Sequence, residues 1–141
     1  MAQSLPSQNQ NPIKMKKVLA VLFIATTFLM PELSAQETKV KKGIGYVDGK
    51  ECLKVIGEAT NVTYSTLEGD ELIILKYLEY RGDGYTEIIF LNEEISFTCT
   101  SYGFTKKLLF KKLVEHGVIS NCVVDAEKAR NFALKYHENI W

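Results

Sequence analysis

The sequence predicts an α+β domain: an antiparallel β-meander of five to six strands followed by two C-terminal helices packed on one face. Three observations point there. Runs rich in β-branched and aromatic residues alternate with tight-turn dipeptides as far as Tyr102. From Phe104 onward the apolar period changes from two to about 3.6 residues. The chain has 141 residues, 46% hydrophobic and 11% aromatic, enough for one ordinary core and too apolar for a disordered or collagen-like chain.

The strands follow in order. Gly43-Ile-Gly-Tyr-Val47 and Lys50 to Ile56 flank Asp48-Gly49, a dipeptide suited to the positive φ angles of a type I′ hairpin turn, so Ile44 is expected opposite Leu53. A second unit runs from Asn61 to Leu67, turns at Glu68-Gly69-Asp70 and continues from Glu71 to Tyr80. After Arg81-Gly82-Asp83-Gly84 come a strand from Tyr85 to Leu91, a turn at Asn92-Glu93-Glu94 and a strand from Ile95 to Tyr102. Residues 36–42 are polar and basic and read as a flexible lead-in, leaving 43–141 as the single domain.

Two helices are expected after Phe104. Thr105 to His116 groups Leu109, Phe110, Leu113 and Val114, with Gly117 as the stop. In the second, Ala126, Ala129, Phe132, Ala133, Tyr136 and Ile140 share a stripe, and Asp125 is the N-cap.

Alternation in the central hairpin sorts its side chains into two sets. With a turn at Gly82-Asp83 or Asp83-Gly84, one face holds Ile73, Leu75, Tyr77, Ile88 and Phe90. The other holds Leu72, Ile74, Leu78, Tyr80, Tyr85, Ile89 and Leu91. Two helices cover only one face, so the second set must be buried by curling of the sheet, by the first hairpin or by a partner. It is therefore the candidate interaction surface. The strand from Ile95 alternates apolar with Ser96, Thr98 and Thr100 and reads as half-exposed, near an edge.

Lys14, Lys16 and Lys17 precede the 13-residue apolar or small-residue run Val18 to Met30, and Ser34-Ala35 closes the segment with small residues. This is signal-peptide architecture. As a helix the run spans about 20 Å, short of a hydrocarbon core of about 30 Å, so no stable membrane anchor is expected once it is cleaved. Residues 1–35 read as leader and signal peptide, with Met15 as a candidate true start, and the product as exported, periplasmic or secreted.

The whole chain balances 17 basic against 17 acidic side chains, and residues 36–141 carry 14 against 16. That excludes the large basic footprint of a nucleic-acid binder. Residues 104–141 are locally basic, with Lys106-Lys107 and Lys111-Lys112 the densest feature; distributed around a helix, these read as a solvated face.

Three cysteines, Cys52, Cys99 and Cys122, permit at most one internal bridge. Cys99 shares the apolar register of Ile95 and Phe97; Cys122 falls between the helices. A Cys99–Cys122 bridge is a candidate that would pin helices to sheet, although spacing alone does not fix connectivity. A thiol enzyme would need Cys122 with His116 or His137 as base, and a zinc site would need Cys99, His116, Cys122 and His137 to converge. No compact ligand pair, nucleophile elbow or phosphate loop supports either, and no catalytic residue, metal or cofactor is assigned. Each histidine adjoins a glutamate near a helix end, where a cation is favoured.

Three short motifs are explained by turn or strand chemistry. Arg81-Gly82-Asp83 supplies what a hairpin tip requires, Asn61-Val62-Thr63 begins a strand, and Gly43 to Gly49 lacks the helix of a dinucleotide fingerprint.

From Met15 onward, the order of signal, meander with Asp-Gly turns and two terminal helices resembles short uncharacterised exported proteins of Gram-negative bacteria. The resemblance is one of organisation and implies no activity and no functional residues. The expected function is that of an exported non-enzymatic domain that binds another envelope protein or a surface ligand, with a homodimer as one version. The alternative is a small hydrolase-like or metal-dependent enzyme built on Cys122.

Overall fold

The computed structural model describes residues 35–101 and 103–141; the expected leader up to Ser34, with the apolar run and Met15, and Tyr102 at the end of the last expected strand, lie outside them. Seven strands form one antiparallel sheet in chain order. They are β1 (Thr38–Lys41), β2 (Ile44–Val47), β3 (Lys50–Glu58), β4 (Asn61–Ser65), β5 (Glu71–Tyr80), β6 (Asp83–Phe90) and β7 (Ile95–Cys99). Helices α1 (Lys106–Glu115) and α2 (Ala126–Tyr136) follow, with the small hairpin β8 (Ile119–Ser120) and β9 (Val123–Val124) between them. No helix among the described residues is long and apolar enough to cross a membrane.

The α+β meander with two terminal helices is present, with seven strands in place of five or six. The additional strand is β1, where the sequence suggested a flexible lead-in. Lys42 and Gly43 adopt φ of 52° and 77°, closing a two-residue turn that pairs Lys41 with Ile44 and Thr38 with Val47. Lysine at a positive φ is uncommon, so residue type gives no warning of this turn. Asp48-Gly49 forms the expected turn with φ of 50° and 78°.

Beyond that turn the register departs from the simple pairing. Tyr46 faces Glu51, but Gly45 faces Leu53 and Ile44 faces Lys54, not Leu53, because Cys52 is inserted as a β-bulge. Cys52 and Leu53 are consequently both buried, at 3% and 1% exposure, where strict alternation would expose one. The central hairpin turns at Arg81-Gly82, with φ of 52° and 86°, one or two residues before either expected dipeptide. Tyr80 pairs with Asp83, Leu75 with Ile88 and Ile73 with Phe90. Each residue's partner shifts by two or four positions, an even number, so the two facing sets of this hairpin survive.

The inner face of β3 to β7 carries the core. Leu53, Val55, Val62, Tyr64, Ile73, Leu75, Ile88 and Phe90 are each at most 1% exposed. Leu109, Phe110, Leu113 and Val114 of α1 and Ala129, Phe132, Ala133 and Tyr136 of α2 are the helical halves of this core. Gly45 is required here: a Cβ would stand 2.8 Å from Cζ of Phe110. Thr105 caps α1 by accepting from Leu108 N, and Asp125 caps α2 by accepting from Lys128 N. Gly117 ends the first helix region with φ 71°. Ala126 is exposed and Ile140 lies beyond the end of α2, so the buried helical stripe is shorter than the sequence suggested.

Candidate functional site

Both helices lie on the inner face, and the outer face of the sheet is the candidate surface. The register aligns Ile56, Thr63, Ile74, Ile89 and Ser96 in one row across β3 to β7. Ile56 is 59% exposed, while Ile74 and Ile89 are half-buried. Along the strands, the next row is Asn61, Lys76, Glu87 and Thr98. Beyond it Leu78, 37% exposed, faces Tyr85, and Tyr80 faces Asp83 at the hairpin end.

The seven residues singled out by alternation are thus not one continuous patch. Ile74 and Ile89 meet in the isoleucine row; Leu78, Tyr80 and Tyr85 group at the hairpin end. The charged pair Lys76 and Glu87 stands between the two groups. Leu72 packs against the core, and Leu91 donates its N–H to Leu72 O at 3.0 Å at the opposite end. Alternation within one hairpin missed Ile56, which the β3–β4 register brings into the row.

The cysteine pairing differs from the candidate bridge. Cys122 is bonded to Cys52, with Cα atoms 5.2 Å apart, and Cys99 is not bridged. The reason is topological. Cys99 lies on β7, four strands from β3, or about 19 Å at about 4.8 Å per strand. Asn121 and Cys122, at φ of 51° and 63°, form the tip of the β8–β9 hairpin. That tip stands with Val47, Asp48 and Lys50 around one cavity, where the bulge presents Cys52. A thiol-based site on Cys122 therefore has no thiol.

The two histidines are likewise held apart in separate environments. His116 Nε2 lies 3.0 Å from Tyr136 Oη, and its ring meets Phe132 edge-on at 5.5 Å. Burial, then Lys135 and Lys112, push its pKa down against the opposing pull of Glu115. Its ring is wedged between the helices, where burial and the two lysines favour the neutral form over the cation that its place near a helix end would suggest. His137 accepts from Thr98 N at 3.4 Å through Nδ1. Among the described residues, no group of three or more His, Cys, Asp or Glu side chains could hold a metal ion.

Glu138 accepts five hydrogen bonds from the end of β7 and the residues after it. Its carboxylate accepts from Cys99 Sγ at 3.0 Å, Thr100 N at 3.2 Å and Thr100 Oγ1 at 2.9 Å, and from Ser101 N at 2.9 Å and Oγ at 2.8 Å. These donors, the Cys99 thiol foremost, hold its pKa at about 2. With its oxygens so occupied, the carboxylate fastens the C-terminal segment to the end of β7. The Arg81-Gly82-Asp83 tripeptide is built as a turn, with the Arg81 guanidinium 5.2 Å above the Tyr80 ring.

No protein-family model, no curated protein and no solved structure matches the chain.

Proposed function

We propose that this protein is an exported, non-enzymatic binding domain that holds another protein of the cell envelope against the outer face of its sheet. The observation that carries the reading is the isoleucine row, with Ile56 59% exposed on the face opposite both helices. Three isoleucines in a row that also holds Thr63 and Ser96, beside Lys76 and Glu87, combine burial energy with polar elements that can set orientation. Export is supported by the basic start and apolar run of residues 14–30, and the Cys52–Cys122 bridge is compatible with an oxidising compartment.

The test is native mass spectrometry, with chemical cross-linking, of the protein isolated from its envelope or medium fraction. A heteromeric complex is expected, lost in the Ile74→Glu, Ile89→Glu double variant while the thermal midpoint of the domain is retained. A doubled mass that the same variant returns to one copy assigns the face to self-association. A monodisperse monomer that captures no envelope protein overturns the reading.

A further inference from the structure

The two edges of the sheet are finished differently. Along β7, Glu138 donates its N–H to Thr98 O at 2.7 Å, and Thr98 Oγ1 donates to Glu138 O at 2.7 Å. The C-terminal segment thereby covers that edge. Among the described residues, no strand lies beyond β1 at the other edge.

Register fixes which backbone groups β1 presents there. Lys41 and Ile44 flank the two-residue turn, and Asp48 donates its N–H to Glu37 O at 2.8 Å. Residues 37, 39 and 41 therefore aim their peptide groups at β2, and the N–H and C=O groups of Thr38 and Val40 point away from it. Beside this edge runs α1, leaving a groove of about 610 Å³ lined by β1 and one side of the helix. Val40 and Leu108 are half-buried against the core, and Phe110 is fully buried behind them. Lys39 and Lys41 come from the strand, Lys107 and Lys111 from the helix. Lys39 lies 3.2 Å from Glu37 and Lys111 3.8 Å from Glu115, whereas Lys41 and Lys107 have no acidic partner among the described residues.

We propose that the β1 edge accepts an eighth strand from an acidic partner: an extended segment in which apolar and acidic side chains alternate. Main-chain bonds to Thr38 and Val40 provide attachment, as in strand addition generally. Side chains of an added strand share faces with those of β1, so apolar residues fall beside Thr38 and Val40 and carboxylates beside Lys39 and Lys41. Charge decides the occupant. A second copy pairing through β1 would set Lys39 and Lys41 against their own equivalents, the like-charge device by which edge strands resist self-pairing. An acidic strand turns the same lysines into contacts. Residues 36–141 carry 14 basic and 16 acidic side chains, so this basic groove runs against the balance of the domain.

This edge is separate from the outer-face row, so either proposal can fail alone. The probe is a capped peptide of alternating valine and glutamate, titrated by fluorescence anisotropy into the protein isolated as cells process it. Saturable binding is expected, with a valine–lysine counterpart about tenfold weaker or worse. Thr38→Pro removes one edge-facing N–H without touching the β2 ladder and is expected to weaken binding by about tenfold. Lys39→Glu with Lys41→Glu should do at least as much. A peptide N-methylated at alternate residues makes the same backbone test with the protein unaltered, should the proline variant not fold. Hydrogen exchange at Thr38 and Val40 should slow in the complex. Absence of saturable binding overturns the proposal, as does equal affinity for inorganic polyphosphate with no effect of Thr38→Pro or N-methylation. A doubled mass that Thr38→Pro abolishes would give the edge to a second copy and overturn it as well.

Discussion

Five donors converge on the Glu138 carboxylate, and the stability they contribute depends on its charge. In the unfolded chain a glutamate titrates at about 4.3. In the fold this one titrates at about 2, so the native state binds the proton less readily than the unfolded chain. The contribution is therefore present above the unfolded value and is lost as pH falls through the interval towards about 2. Glu138→Gln should remove that part of the acid dependence and lower stability at neutral pH, because the amide replaces one acceptor oxygen with a donor facing other donors. Thermal midpoints of both proteins from neutral pH to pH 2 check this. Parallel curves would show that the cluster does not couple to folding.

Among the elements, one ring stands between the end of α1 and the face of α2. His116 follows the last turn of α1, bonds Tyr136 of α2 and abuts Phe132. Burial and the two lysines favour the neutral ring, so the folded pKa lies below the unfolded value of about 6.5. Stability is accordingly full above that pH and declines as pH falls through the unfolded value towards the folded one. His116→Phe should flatten the stability profile in this window, and a slope identical to that of the parent would count against the neutral wedge. The elements themselves were legible where residue type determines backbone geometry. Asp48-Gly49 announces a type I′ turn, Thr105 and Asp125 announce helix starts, and Gly117 announces a stop. Lys42-Gly43, Arg81-Gly82 and Asn121-Cys122 make equally tight turns with residues that carry weaker signals, so β1 and the β8–β9 hairpin went unread. The Cys52 bulge is a single inserted residue, invisible to alternation, yet it changes Ile44's partner and presents Cys52 to the hairpin tip. Of the surface, the hairpin's facing sets followed from periodicity. Ile56 and the dividing pair Lys76 and Glu87 required the register of neighbouring strands, which depends on turns the sequence does not fix.

At the scale of the molecule, the Cys52–Cys122 bridge ties the strand half to the helical half across 70 residues of sequence. The sheet is assembled by successive hairpins, whose closures are short, but bringing the inter-helix tip to β3 closes most of the domain in one loop. Chain-entropy arithmetic puts the stabilisation for such a loop at about 4 kcal/mol, and removal of native bridges from small exported domains typically costs about 2–5 kcal/mol. That is a large share of the about 5–15 kcal/mol that holds a domain of this size. The burial of Cys52 at 3% exposure adds a kinetic expectation: reductant should reach the bond slowly until the hairpin tip opens. Cys52→Ala with Cys122→Ala should therefore lower unfolding free energy by about 2–4 kcal/mol in denaturant titrations. In the intact protein, denaturation without reductant should expose one alkylatable thiol, Cys99, whereas denaturation with reductant should expose three. Three thiols without reductant would mean that the bridge does not form. An unchanged unfolding free energy in the double variant would mean that contacts of the bulge and hairpin, and not the covalent tie, hold the two halves together.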